Sequence, residues 1–242
     1  MPKLPECRER PSVRAAQVNP ISISFLLLPM TTPGIEVRPL TTMTGDASFN
    51  EVFFTDVRIP ASNIVAKPGD GWRVALTTLM NERLAIGGGI ATGFPEIKAL
   101  VDEVRLSSGT AINDRAVRSK LADWYAKSAG LKNTGSRAIS QLSKGEIPGP
   151  ENSIGKLVAG GMMQDIAKYA LDIQGLAGLI DDPEIARSQA RMQAMLMRSP
   201  AVRIEGGTDQ ILRNIISERV LGLPEDMRAD KGLPFNQVPT GH

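Results

Sequence analysis

Residues 67–71 read KPGDG, and the hydrophobic period of the chain differs on the two sides of this break. Upstream lie short runs rich in β-branched and apolar residues, ISISFLLL (21–28), GIEVRPL (34–40) and FNEVFFTDVRIP (49–60), separated by the turn-forming PMTTPG and TMTGDAS. Such runs read as strands. Downstream, as far as Leu223, apolar residues recur at intervals of three and four, the period of an amphipathic helix. A chain built this way is mainly α: a C-terminal helical bundle with a small antiparallel β-unit, drawn from residues 23–65, on its N-terminal side. The breakers predict helices near 72–93, 95–107, 114–144, 152–175, 183–198 and 208–221, with GEIPGP (145–150) as a loop. Long antiparallel helices joined by short loops make a bundle. The expected organisation is an irregular leader at 1–22, a partial β-domain at 23–71, the bundle at 72–224 and a tail at 225–242.

Charge and rare residues narrow the chemistry. Lys and Arg number 28 against 26 Asp and Glu, a net charge of +2, which lacks the basic excess of a dedicated nucleic-acid binder. Aromatics make up 4%, so the core must come from Leu, Ile, Ala, Met and Val. The single Cys, Cys7, and the single His, His242, sit near opposite ends. Disulfide frameworks, Cys/His metal sites and His-dependent triads are therefore excluded within one chain, and no metal site is expected. Lone-cysteine usage suits a reducing compartment, so the expected location is cytoplasmic. The apolar run Ile21–Leu28 is too short to span a bilayer and reads as a buried strand.

Two constellations could carry chemistry. On a helical wheel through the first predicted helix, Trp72, Leu76, Leu79, Met80, Ile86 and Ile90 share a broad apolar face with Arg83 at its centre and Glu82 at its edge. A charged Arg there needs a partner, because burying it alone costs several kcal/mol. The bland reading is a solvated Glu beside an Arg that snorkels. Gly87, Gly88 and Gly89 follow, each costing ~1 kcal/mol in a helix interior, for which close packing or room for a ligand would compensate. The second constellation is RIEGGTDQILRNII (203–216), a glycine pair followed by Thr208 at an N-cap and Asp209 in the first turn. Free backbone N–H groups and the positive end of the helix face whatever lies in front. A purely structural cap is the bland reading here.

Taken together, SFLLLPMTTPGIEVRPL (24–40), TGDASFNEVFFTDVRIPASNIV (44–65), GDGWRVALTTLMNERLAIG (69–87) and GGTDQILRNIISERVLGLP (206–224) resemble the acyl-CoA dehydrogenase family. These are FAD-dependent flavoproteins that form an α,β double bond in acyl-CoA thioesters. The resemblance covers the later strands of the family's β-domain and its whole C-terminal helical domain. It implies FAD as cofactor and an acyl-CoA substrate. As partners it implies an electron-accepting protein and assembly as a homo-oligomer or with a full-length paralogue. A non-catalytic assembly subunit of such a paralogue is the alternative.

The resemblance also assigns roles. In many members a Glu directly precedes the Gly-Thr of the last motif; here that position is Gly206, with Glu205 one residue earlier. Other members take the base from the helix after the β-domain in an E-R-L pattern, which implies Glu82 as base and Arg83 beside the substrate. The backbone N–H of Gly206 would meet the thioester oxygen. Thr208 and Gln210 match a G-T-x-Q segment, and Arg105 and Ser107 resemble an R-x-T-x-G segment that reaches the flavin pyrophosphate of a neighbouring subunit. That second match needs a one-residue gap and has Ser for Thr. Residues 172–178, DIQGLAG, depart from the family's Gln-x-x-Gly-Gly-x-Gly pattern.

Overall fold

The computed structural model describes residues 23–79, 92–146, 149–225, 233 and 237–238. Glu82, Arg83, the triple glycine, the leader and most of the tail lie outside the described residues. The chain divides into two compact units.

The described part of the first unit comprises residues 23–30, 58–77, 233 and 237–238. Strand β1 (Phe25–Leu26) pairs antiparallel with a later strand at Ile64–Val65, through Phe25 with Val65 and Leu26 with Ile64. A 3-10 turn at Ala61–Asn63 leads into that later strand, and the Asn63 amide side chain donates to Leu27 O at 3.0 Å. The KPGDG break has a steric cause. Gly69 adopts φ +91°, a conformation only glycine takes cheaply, and its N–H donates to Ser24 Oγ. Gly71 is buried and donates to Ile23 O at 2.7 Å; a Cβ there would stand 2.6 Å from the same oxygen. Helix α1 begins at this point, with residues 71–79 helical. The expectation of a buried strand at 21–28 is corrected: among the described residues of that run only Phe25–Leu26 is strand, and Ile23, Leu26 and Leu27 are exposed.

In the second unit, β2 (Ile35–Leu40) and β3 (Phe49–Phe54) form an antiparallel hairpin in register from Ile35–Phe54 to Leu40–Phe49. Gly34 at φ +91° accepts from Thr55 N at the open end. Apart from Ile35, every hairpin residue is exposed, on both faces. The strands at 23–65 thus form two separate two-stranded ladders rather than one β-unit, and the one closed by Ile64–Val65 is here strand β4.

The bundle comprises α2 (Phe94–Glu103), α3 (Arg115–Ser143), α4 (Asn152–Gln174), α5 (Arg191–Val202) and α6 (Asp209–Arg219). Helix α4 is central and packs on the other four. That position explains its small residues: Gly155, Ala159, Gly160, Ala167 and Ala170 are buried and let neighbours approach. Ile97, Leu100, Trp124, Ile166, Met192 and Leu212 are fully buried in the core. The indole of Trp124 keeps its N–H satisfied by donating to Asp165 at 2.9 Å, which ties α3 to α4. Asp114 caps α3 by accepting from Ala116 N and Val117 N.

Two predicted helices are corrected. The helix expected at 95–107 ends at Glu103, because Val104 is extended and buried. Arg105–Leu106 (β5) then turns back through Ser107 and Ser108 to pair with Gly109–Thr110 (β6), so strand structure does occur beyond residue 72. The helix expected at 183–198 starts only at Arg191 and runs on to Val202. Ser188, Gln189 and Ala190 hold φ of 53°, 56° and 55°, a left-handed stretch that breaks helical continuity.

Candidate functional site

The turn between α5 and α6 gathers the charged groups of the bundle interior. It is closed by Asp209 N donating to Arg203 O at 3.2 Å, which leaves Glu205, Gly206, Gly207 and Thr208 at its tip. Gly206 at φ +63° and Gly207 at φ +107° make this tight reversal possible. Thr208 caps α6 as expected, its Oγ accepting from Ile211 N at 3.3 Å, and its hydroxyl hydrogen stays available. Among the described residues, the N–H groups of Gly206 and Thr208 donate to nothing. Two partnerless amides at the positive end of a helix are donors that a ligand oxygen could accept from.

Charged side chains back this turn. Lys156 of α4, 4% exposed, donates through Nζ to Gly207 O at 2.6 Å and lies 4.0 Å from Asp209 Oδ1. Burial pushes the Lys156 ammonium below its ordinary value of 10.5, against the upward pull of Asp209 and Glu205. Arg203 holds Asp209 Oδ2 at 2.7 Å and donates to Gln164 Oε1 of α4 at 2.6 Å. Arg198 donates through Nη2 to both Glu205 oxygens, at 2.8 and 2.7 Å. Both carboxylates of the turn are therefore engaged.

Other candidate residues stand elsewhere. Gln210 is exposed on the first turn of α6. Arg105 lies on β5 with its Nη1 bonded to the Thr110 hydroxyl, and Ser107 is exposed at the tip of that hairpin. Gly206, Thr208 and Gln210 are thus brought together, whereas no hydrogen bond or ion pair among the described residues joins them to Arg105 or Ser107. Trp72, Leu76 and Leu79, members of the apolar stripe read on the wheel, are exposed. Lys156 and Arg198 are the residues the motifs did not single out. One signal was available for the lysine: it is the sole charged residue from Asn152 to Gln164. Among the described residues no group of His, Cys, Asp and Glu is arranged to hold a metal, and no helix is long and apolar enough to cross a membrane.

The class defined so far is a helical bundle that offers a glycine-turn oxygen site at the start of its last helix. The chain belongs to the acyl-CoA dehydrogenase family: residues 69–221 match the family's model for the acyl-CoA dehydrogenase C-terminal domain. It is 38% identical over 211 residues to acyl-CoA dehydrogenase IpdE1 of Mycolicibacterium smegmatis, an alignment covering 85% of this chain and 50% of that protein. It is 37% identical over 205 residues to acyl-CoA dehydrogenase FadE34 of Mycobacterium tuberculosis, covering 84% and 27%. The chain therefore spans about half the length of the first relative and about a quarter of the second. Its fold is shared with an acyl-CoA dehydrogenase from Geobacillus kaustophilus, at TM-score 0.71 and 22% identity over 83% of this chain and 53% of that one. It is likewise shared with the ChsE4-ChsE5 complex from Mycobacterium tuberculosis, at TM-score 0.69 and 24% identity over 85% and 53%.

Proposed function

We propose that this chain takes part in the α,β-dehydrogenation of an acyl-CoA thioester with FAD as cofactor. The observation that carries the proposal is the pair of amides at Gly206 and Thr208, partnerless among the described residues, in a turn held from behind by a buried lysine. A thioester α-proton is too weakly acidic for a carboxylate unless charge on the carbonyl oxygen is stabilised, and preorganised N–H donors do this. The Gly206 amide would meet that oxygen and Glu82 would take the α-proton, with Arg83 beside the substrate.

The donor set also suits a flavin nucleotide, whose hydroxyls and pyrophosphate are rich in acceptor oxygens. The free hydrogen of the Thr208 hydroxyl and the exposed amide of Gln210 would hold it, while the uncommitted N–H groups of Arg105 and the Ser107 hydroxyl would reach the flavin pyrophosphate of a neighbouring subunit. When bound, FAD supplies the acceptor for the β-hydride. The chain's own part is to align the substrate and move one proton.

Further partners in this reading are an electron-accepting protein and an oligomeric neighbour, either a second copy or a longer paralogue, in the cytoplasm. The exposed apolar side chains of Tyr125, Ile139 and Leu142 on α3 support assembly through the long helices. A second reading, a non-catalytic subunit of a full-length paralogue, is favoured by the hairpin β2–β3, which is exposed on both faces. Purification separates the two: yellow protein with flavin absorbance supports the enzyme, and colourless protein that co-purifies with a longer homologue supports the subunit.

The chemical test is flavin reduction by an acyl-CoA under anaerobic conditions, with this chain alone or with its paralogue. Glu82→Gln should slow that reduction by ~10²-fold or more while leaving flavin content unchanged. Reduction at the wild-type rate in Glu82→Gln, with loss in Glu205→Gln, would move the base to the turn before Thr208.

A further inference from the structure

Lys156 is compensated in an unexpected way. Its ammonium, 4% exposed, donates to the neutral Gly207 carbonyl at 2.6 Å, while the carboxylate oxygen Asp209 Oδ1 stays 4.0 Å away. That oxygen is buried and has no hydrogen-bond partner among the described residues. Charge-assisted hydrogen bonds are roughly twice as strong as neutral ones, so a lysine serving only to neutralise Asp209 would bond to the carboxylate. Its commitment to a backbone carbonyl requires another reason.

Peptide geometry supplies one. The Gly207 carbonyl and the Thr208 N–H belong to one planar unit and point in opposite directions, so a clamp on the oxygen also sets the amide. Gly207, at φ +107°, has no side chain to restrict its own rotation. Two turns along the same face of α4, Gln164 holds Arg203 at the other end of the turn. Helix α4 thereby grips both ends of the loop and leaves the amides at its tip unpartnered.

We infer that Lys156 is a positioning residue that holds the Gly207–Thr208 peptide in one orientation and thereby fixes the turn that carries the Gly206 amide, so that this amide meets a thioester carbonyl oxygen already aligned. The identity of that oxygen rests on the proposed function; the clamp itself does not. Preorganisation of this kind lowers the ordering cost of binding.

The test uses the full chain, with Lys156→Met to remove the donor and Lys156→Gln to keep a polar group one bond too short. Backbone ¹⁵N order parameters at Gly206, Gly207 and Thr208 should be near ~0.85 in the wild type and fall below ~0.6 in both variants. Those of α4 and α5 should hold. With a large excess of FAD present, affinity for octanoyl-CoA should drop about tenfold or more, the scale of one lost hydrogen bond to a charged group. Unchanged order at the turn in either folded variant overturns the inference. Loss of the whole fold in both also overturns it, since the lysine would then serve the bundle and not the turn. A loosened turn together with a wild-type chain that binds no octanoyl-CoA upholds the clamp and sinks the proposed function.

Discussion

At the scale of single residues, the decisive contacts are those that commit a charged group. Arg198 grips both oxygens of Glu205 and holds that carboxylate to the end of α5. Glu205→Gln should therefore leave flavin reduction close to the wild-type rate. Lys156 has a measurable signature in pH. Its folded-state value lies below the 10.5 of the unfolded chain, so between the two the unfolded state binds more protons and stability rises with pH. Tyr169 acts oppositely: burial raises it above its ordinary 10.0, and stability is lost as pH climbs beyond that value. Comparing melting temperatures of wild type and Lys156→Met isolates the lysine, and the difference in favour of wild type should grow as pH approaches 10.5. A difference independent of pH would show that Lys156 is unperturbed. The Thr208 cap is legible in the sequence because G-G-T before an amphipathic run has a local meaning. Lys156 is not, since a lysine on a helix is ordinarily solvated and its burial depends on a turn some fifty residues later.

At the scale of elements, legibility follows how local the determinants are. Helices α3, α4 and α6 run close to their expected limits because their breakers, Asp114, GEIPGP and Thr208, act on adjacent backbone. Helix α5 escapes sequence reading because Pro200 ordinarily ends a helix, yet α5 continues to Val202. The proline removes the N–H that would reach Leu196 O. Ser199, fully buried, donates its hydroxyl to that carbonyl at 2.9 Å instead. This substitution lets the chain stay helical up to Arg203 and the glycine turn. Ser199→Ala leaves the half-buried Leu196 carbonyl without its donor and should destabilise by about 1 kcal/mol, measured by urea unfolding. The variant should also weaken the Arg203 contacts to Asp209 and Gln164, which depend on where α5 ends. An unchanged unfolding midpoint would mean that Leu196 O is satisfied by other means.

For the whole molecule, binding strength depends on how many ligand-directed groups the chain holds ready together. Arg105 and Ser107 are exposed on a hairpin that Leu106 anchors to the core, while Gly206, Thr208 and Gln210 stand on the α6 turn. In the proposed assembly the Arg105 and Ser107 set serves the flavin of a neighbouring copy, so the isolated chain offers one cofactor only part of the donor set. The hairpin β2–β3 adds a second deficit: Val37, Leu40, Phe49, Val52, Phe53 and Phe54 are exposed, and the Arg38 guanidinium lies over the Phe53 ring. A two-stranded hairpin of this kind is marginal unless something packs on it. Its expected inward face could not be assigned from period-2 alternation, because neither face is buried. We therefore expect the isolated chain to bind FAD more weakly than about 1 μM, short of the ~8 kcal/mol that such affinity represents. Titration followed by flavin fluorescence measures this. Addition of a longer paralogue should tighten FAD binding and protect the β2–β3 amides from hydrogen exchange in the same step. Stoichiometric binding by the chain alone, with the hairpin amides still exchanging freely, would show that the bundle and its glycine turn suffice to hold the cofactor.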